Sequence, residues 1–214
     1  MTRILKHLVF PALGLLLFGC GSKIEIYEWV RLDYYSINAN SRDTLFGDES
    51  VHYEDYAMLV QLNPINFTTV SSSDWVQASE GFQAKNRIVK LEVITKTDYN
   101  KAKPSGKLLN DILVASFIEE GDNPENRVFL DDFVSEFGKK SNRIEEGFEI
   151  YFREGGGFAA PCTGYLDPED PDNEDNQKDY ENCMSDSKQF EIFIQLSNGT
   201  KFSGTTFRIN LENE

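Results

Sequence analysis

Apolar and polar residues alternate with period two in five segments, the spacing that sends one set of side chains to a buried sheet face and the other toward solvent. Ile24, Ile26, Val30, Leu32 and Tyr34 form one stripe, and Met58, Val60 and Leu62 a second. Val89, Leu91 and Val93 alternate with Lys90 and Glu92, while Phe148, Ile150 and Phe152 alternate with Glu149 and Arg153. Phe190, Ile192, Ile194 and Leu196 repeat the pattern. Each segment predicts a strand.

Ser197-Asn198-Gly199-Thr200 follows the last stripe, and its Asn-Gly pair predicts a type I′ hairpin with a two-residue loop. That register sets Phe190 opposite Phe207 and turns Phe202 and Phe207 to opposite faces. Either the sheet is covered on both sides or a bulge intervenes, with Gly204 the expected bulge position because it has no side chain to resist an extra residue.

Helical signals are fewer. Leu130, Phe133, Val134 and Phe137 make one apolar stripe within Arg127 to Phe137, and Gly138 can take the left-handed end conformation. Lys107 to Ile118 fits helix or strand, and Ser73-Asp74-Trp75-Val76 reads as a capped short helix or a loop. No repeat and no long linker divides the chain. The expected architecture is a single mainly β domain over residues 24–214, an antiparallel β-sandwich with immunoglobulin-like layering and one or two short helical insertions. A helix packed on one open sheet is the alternative.

The first nineteen residues do not belong to that domain. Arg3 and Lys6 precede an apolar run from Leu8 to Phe18, too short for the roughly 20 residues a membrane-spanning helix needs, so residues 1–19 read as a signal peptide. Leu17-Phe18-Gly19-Cys20 resembles the bacterial lipobox. The resemblance implies cleavage before Cys20, a diacylglyceryl thioether on its sulfur and acylation of the new amine, with residues 20–23 as a lipidated tether. The implied acyl chains together anchor a protein stably, whereas one alone does not.

Charge narrows the partners. The 21 basic residues lose Arg3 and Lys6 with the leader, leaving 19 against 36 acidic, a net charge of about −17. Such a surface argues against nucleic acid and against anionic head groups, so the lipid must hold the protein to its membrane. With Cys20 acylated, Cys162 and Cys183 remain, and an exported, oxidising setting favours a disulfide. Two buried free thiols or a metal pair are the alternatives. In the chain-entropy description, closing a loop of about 22 residues contributes roughly 3 kcal/mol.

Candidate chemistry is sparse. His52 is alone once His7 leaves with the leader, and it sits in a polar stretch that suits a surface residue. There is no Gly-x-Ser-x-Gly elbow, phosphate loop or dinucleotide fingerprint, and Gly155-Gly156-Gly157 reads as a turn. Glu119-Glu120 and Asp131-Asp132 are neighbouring carboxylates of the kind glycoside hydrolysis uses, but adjacent side chains point apart. Between the cysteines, Asp170, Asp172, Glu174 and Glu181 fall at positions one, three, five and twelve of an EF-hand-like count, which makes calcium the candidate cofactor. Asp175 stands where that loop requires glycine, Pro168 and Pro171 stiffen the approach, and a long solvated loop is the competing reading. Trp29 and Trp75, with Tyr34, Tyr35, Tyr53 and Tyr56 as a rim, are candidates for a sugar-stacking platform, against ordinary core packing.

Leader, length and final hairpin together give the chain a general look similar to small envelope lipoproteins of Gram-negative anaerobes. By that resemblance, Gly21 after the cysteine implies the outer membrane, and Ser22-Lys23-Ile24, which lacks an acidic cluster, favours a periplasm-facing position. Asp43-Thr44-Leu45 looks like their O-glycosylation site. The expected function is a non-enzymatic binding or assembly module, tethered through Cys20 and working with an envelope protein or glycan. A carbohydrate-binding accessory lipoprotein and a carboxylate-dependent glycoside hydrolase are the alternatives.

Overall fold

The computed structural model describes residues 23–47, 49–71, 81–118, 123–140, 147–153, 160–167 and 169–213. Its strands are β1 (Lys23–Asn38), β2 (Thr44–Leu45), β3 (Ser50–His52), β4 (Tyr56–Ser71), β5 (Gly81–Ala84) and β6 (Ile88–Thr95). They continue with β7 (Leu113–Phe117), β8 (Val128–Phe129), β9 (Gly147–Phe152), β10 (Phe190–Leu196), β11 (Lys201–Thr205) and β12 (Asn210–Glu212). All five alternating segments of the sequence lie in strands. The helices are α1 (Leu130–Lys140) and α2 (Glu174–Ser185).

One sheet has the order β2-β1-β4-β9-β7-β8, with β5 pairing β1 in parallel. The second is antiparallel, in the order β11-β10-β6, and β12 with β3 forms a small parallel pair. The two larger sheets face each other across one apolar core, to which Met58, Val60, Phe148 and Ile150 contribute from one side and Val93, Phe190, Ile192 and Ile194 from the other. This is the layered β-sandwich that the alternation predicts. β11 lies against β1, and α1 packs on both β6 and β7 at the opposite side. There Phe133 meets Phe117 and Phe148 at ring distances of 4.7 and 5.1 Å. The helix closes one flank; the flank of β1, β2 and β11 has no such cover among the described residues.

Val30 departs from its predicted stripe. The β1–β4 register shifts between Trp29, opposite Pro64, and Arg31, opposite Asn63, so Val30 is the extra residue of a bulge. Trp29 turns into the core at 6% exposure while Val30 stands 51% exposed. Pro64 has no N–H to give the ladder, so the irregularity falls where β4 cannot donate.

The final hairpin also differs from expectation. Gln195 pairs with Lys201 and Glu191 with Thr205, which leaves Ser197, Asn198 and Gly199 as a three-residue loop. Gly199 N donates to Leu196 O (2.9 Å), Thr200 N donates to Asn198 Oδ1 (3.0 Å), and Gly199 takes φ +88°. This is a type I turn followed by a left-handed glycine, so the bulge belongs to Gly199 rather than Gly204. Phe190 now faces Thr206, which returns N–H to Phe190 O at 2.9 Å, and Phe207 lies past the strand. Gly204 stays in regular pairing for a different reason: the Tyr34 ring occupies the space a Cβ would need.

Three further segments resolve. Lys107 to Ile118 becomes a short 3-10 turn at Asn110–Ile112 followed by β7. α1 runs through Gly138 to Lys140 instead of ending there, and it begins at Leu130, after β8. The acidic stretch is not a bare loop, because α2 forms within it. Asn173 caps α2 by accepting from Asp175 N (3.0 Å), and Glu174 and Asp175 lie in the first turn, where the positive end of the helix favours acids. Ser73-Asp74-Trp75-Val76 and the 155–157 glycines lie outside the described residues.

An aromatic cluster fills the base of the core. Tyr99 stacks on Phe152 (4.9 Å between ring centroids, 18° between planes), and Phe152 meets Phe190 at 5.7 Å. Burial pushes the Tyr99 phenol well above its usual range, and its hydroxyl has no hydrogen-bond partner among the described residues. An orphaned buried hydroxyl costs more than it contributes, so Tyr99→Phe keeps the stack and raises unfolding free energy by about 1 kcal/mol in chemical denaturation. A loss of that size contradicts the assignment.

Candidate functional site

The uncovered flank carries the most exposed aromatic pair. Phe46, between β2 and β3, and Phe207, just beyond β11, are 58% and 43% exposed, with ring centroids 5.6 Å apart and planes tilted by 50°. Phe46 N donates to Glu49 Oε2 (2.7 Å), which fixes the tight turn that presents the first ring. The second is set from inside: Ser36 Oγ lies 3.3 Å from Phe207 O and 3.1 Å from the buried Tyr56 hydroxyl. Two large apolar side chains held open to water on a rigid frame suit a binding surface. Sequence reasoning missed both residues, because neither belongs to an alternating stripe and only tertiary folding brings them together.

The buried ionisable groups have another character. Glu149, on the outer face of the larger sheet, is 2% exposed; Arg42 binds both its oxygens and Tyr151 OH donates to it. Arg127 stacks over the Tyr151 ring at 3.8 Å. A carboxylate so engaged is acceptor-saturated and holds the β1–β2 connection onto the sheet.

Lys188 is 1% exposed, and its ammonium donates to Asp98 O (2.7 Å) and Cys183 O (2.6 Å). Cys183 lies in the last turn of α2, where a cation satisfies a free carbonyl at the negative end of the helix. Cys183 is bonded to Cys162, with Cα atoms 5.6 Å apart, and Cys162 N donates to Tyr99 O (2.7 Å). Both ends of the acidic segment are thereby tied to residues 98–99. This buried amine reaches carbonyls of its own chain and presents nothing to a substrate.

The residues singled out in the sequence are scattered. Trp29 is a core residue, so its indole offers no face to a sugar; the bulge at Val30 turned it inward. Tyr56 is fully buried, and Tyr34, Tyr35 and Tyr53 are half-buried. Cys20 and Trp75 lie outside the described residues, as do Glu119 and Glu120. Asp131 and Asp132 are exposed in the first turn of α1. Asp170 and Asp172 precede α2, Glu174 begins it, and Glu181 follows two turns later, so the helix holds Glu181 about 10 Å from Glu174 along its axis where an EF-hand loop would curl the four around one ion. Among the described residues no group of three or more His, Cys, Asp and Glu side chains is placed to hold a metal ion. His52 lies in β3, half-buried, its ring 5.0 Å from that of Tyr53.

Comparison with known proteins adds little. No family model and no curated protein matches the chain. A solved chain titled BspA_C_WT is similar at 10% identity with a TM-score of 0.24, covering 83% of this chain and 50% of that one. A second, titled BspA_C_mut, gives 10% identity, a TM-score of 0.23 and coverage of 83% and 46%. The chain thus spans about half the length of the solved chains it matches.

Burial lowers the Lys188 ammonium from 10.5 to about 8, against the Asp186 and Asp98 carboxylates, which raise it. Below pH 8 both folded and unfolded states hold the proton and the burial cost is constant. Between about 8 and 10.5 only the unfolded state holds it, so stability rises with pH across that window. At 1.36 kcal/mol per pH unit, the stability of the wild type relative to Lys188→Met climbs by about 3 kcal/mol over the window, read from denaturation curves. Equal slopes in the two proteins contradict the assignment.

Proposed function

We propose that the chain is a non-enzymatic binding or assembly module, held to the outer membrane through lipid on Cys20 and facing the periplasm. The observation that carries this reading is the Phe46–Phe207 pair, exposed on a flank that neither described helix covers. Its setting supports it further: Glu149 and Lys188, the charged side chains buried among the described residues, are engaged by partners within the chain. β1 starts at Lys23, so acyl chains on Cys20 would hold the first strand within about 10 Å of the bilayer surface. The net charge of about −17 left after the leader is removed keeps the domain off anionic head groups while leaving it open to basic partners.

The glycan and hydrolase readings draw less support. A sugar platform needs a broad exposed ring, whereas Trp29 is buried and the two phenyl rings are tilted into a wedge. A photo-crosslinking residue at position 46 of the full-length protein, in its native membrane, gives discrete adducts to another polypeptide, while the same residue at Asp170 on the acidic segment does not. Adduct patterns that are absent, or identical at the two positions, contradict the proposal.

A further inference from the structure

β11 is an open edge of the three-stranded sheet among the described residues. It pairs only with β10, and in an antiparallel ladder alternate residues turn their backbone groups inward and outward. Leu196 N donates to Thr200 O (2.8 Å) and Thr206 N to Phe190 O (2.9 Å). By that parity Phe202 and Gly204 bond to β10, whereas Lys201, Ser203 and Thr205 point their N–H and C=O groups away from the sheet. All three are exposed, and no hydrogen bond reaches their outward backbone from the described residues.

The other edge of this sheet is blunted: β6 is capped where Leu109 N donates to Val93 O (2.9 Å) and Gly106 N to Thr95 O (2.7 Å). β11 has no proline and no bulge, and of the usual guards against edge pairing it carries only Lys201.

We infer that β11 takes up an extended segment of another polypeptide as an added strand, with an aliphatic or aromatic side chain of that segment seated on Phe46 and Phe207. This names the partner class of the binding site proposed above and rests on that reading. Outward N–H and C=O groups repeating every second residue are matched by the main chain of an extended peptide. The phenyl wedge, beginning two residues past the end of β11, supplies the side-chain specificity that main-chain pairing lacks.

A second copy fits poorly. Two-fold pairing about Ser203 would set each Phe207 opposite Gly199 of the other copy, which has no side chain to cover a phenyl ring, and would bring together two chains of net charge about −17. That charge also favours a segment free of acidic residues.

The test pans a library of short peptides against the full-length protein purified in detergent, then measures the enriched peptides on variants. Ser203→Pro removes an outward N–H and puts a ring in the path of an added strand, yet leaves the bonds of Phe202 and Gly204 to β10. Thr205→Pro repeats the block two residues along and serves if Ser203→Pro fails to fold. Enriched peptides bind the proline variants and Phe46→Ala at least about tenfold more weakly than wild type. Three results overturn the inference: a library that yields no binder, peptides indifferent to the proline variants, or a wild-type protein that dimerises through an edge that Ser203→Pro abolishes. Adducts at position 46 together with any of these would leave the binding module standing and remove only its strand-pairing mode.

Discussion

The register of the last hairpin governs much of this molecule. With Gly199 in the left-handed conformation, the loop takes three residues, and each partner on β11 follows from that count. Phe202 turns toward the core, Gly204 comes to lie beneath the Tyr34 ring, and Thr206 meets the start of β10. Side chains alternate with period two, so a slip of one residue would expose Phe202 and press Ser203 or Thr205 against Tyr34. The register also sends Phe207 outward to Phe46 and leaves the backbone of Lys201, Ser203 and Thr205 facing solvent. Core, close packing and candidate binding surface thus share one geometric cause.

The rest of the described residues brace that flank without covering it. α1 spans the far side between β6 and β7, and the disulfide with Lys188 gathers the end of α2, residues 98–99 and the β10 approach into one knot. Lys188 also pairs its backbone with Ile209 (2.6 and 3.0 Å), so the segment after Phe207 is fastened as well. Burying an ammonium is expensive unless its donors are used, and here two carbonyls use them. Glu149 solves the same problem on the outer sheet face through Arg42 and Tyr151. These ions fix loops to sheets.

Much of this was legible in the pattern of residues and some was not, for physical reasons. Strands with one face in the core announce themselves through alternation, as Phe190 to Leu196 and Met58 to Leu62 do. Val30 misled because a bulge opposite Pro64 shifts the parity, and a bulge leaves no local mark in an apolar run. Asn198-Gly199 suited two hairpin geometries that differ by one residue, and the contact of Tyr34 with Gly204, some 170 positions apart in sequence, distinguishes them. The helix in the acidic segment was masked by its own charge and by the prolines ahead of it, although its cap, Asn173, stands directly before the first helical residue. The expected hairpin sets Phe207 opposite Phe190, and only folding brings it to Phe46.

The proposed strand addition requires β11 to be paired on one side and open on the other. Residue-resolved amide hydrogen exchange on the free protein examines that point most directly. The account predicts slow exchange at Phe202, Gly204 and Thr206 and fast exchange at Lys201, Ser203 and Thr205. The opposite alternation would mean that Lys201, Ser203 and Thr205 bond to β10, and protection at all six would mean the edge is already occupied; either result contradicts the account.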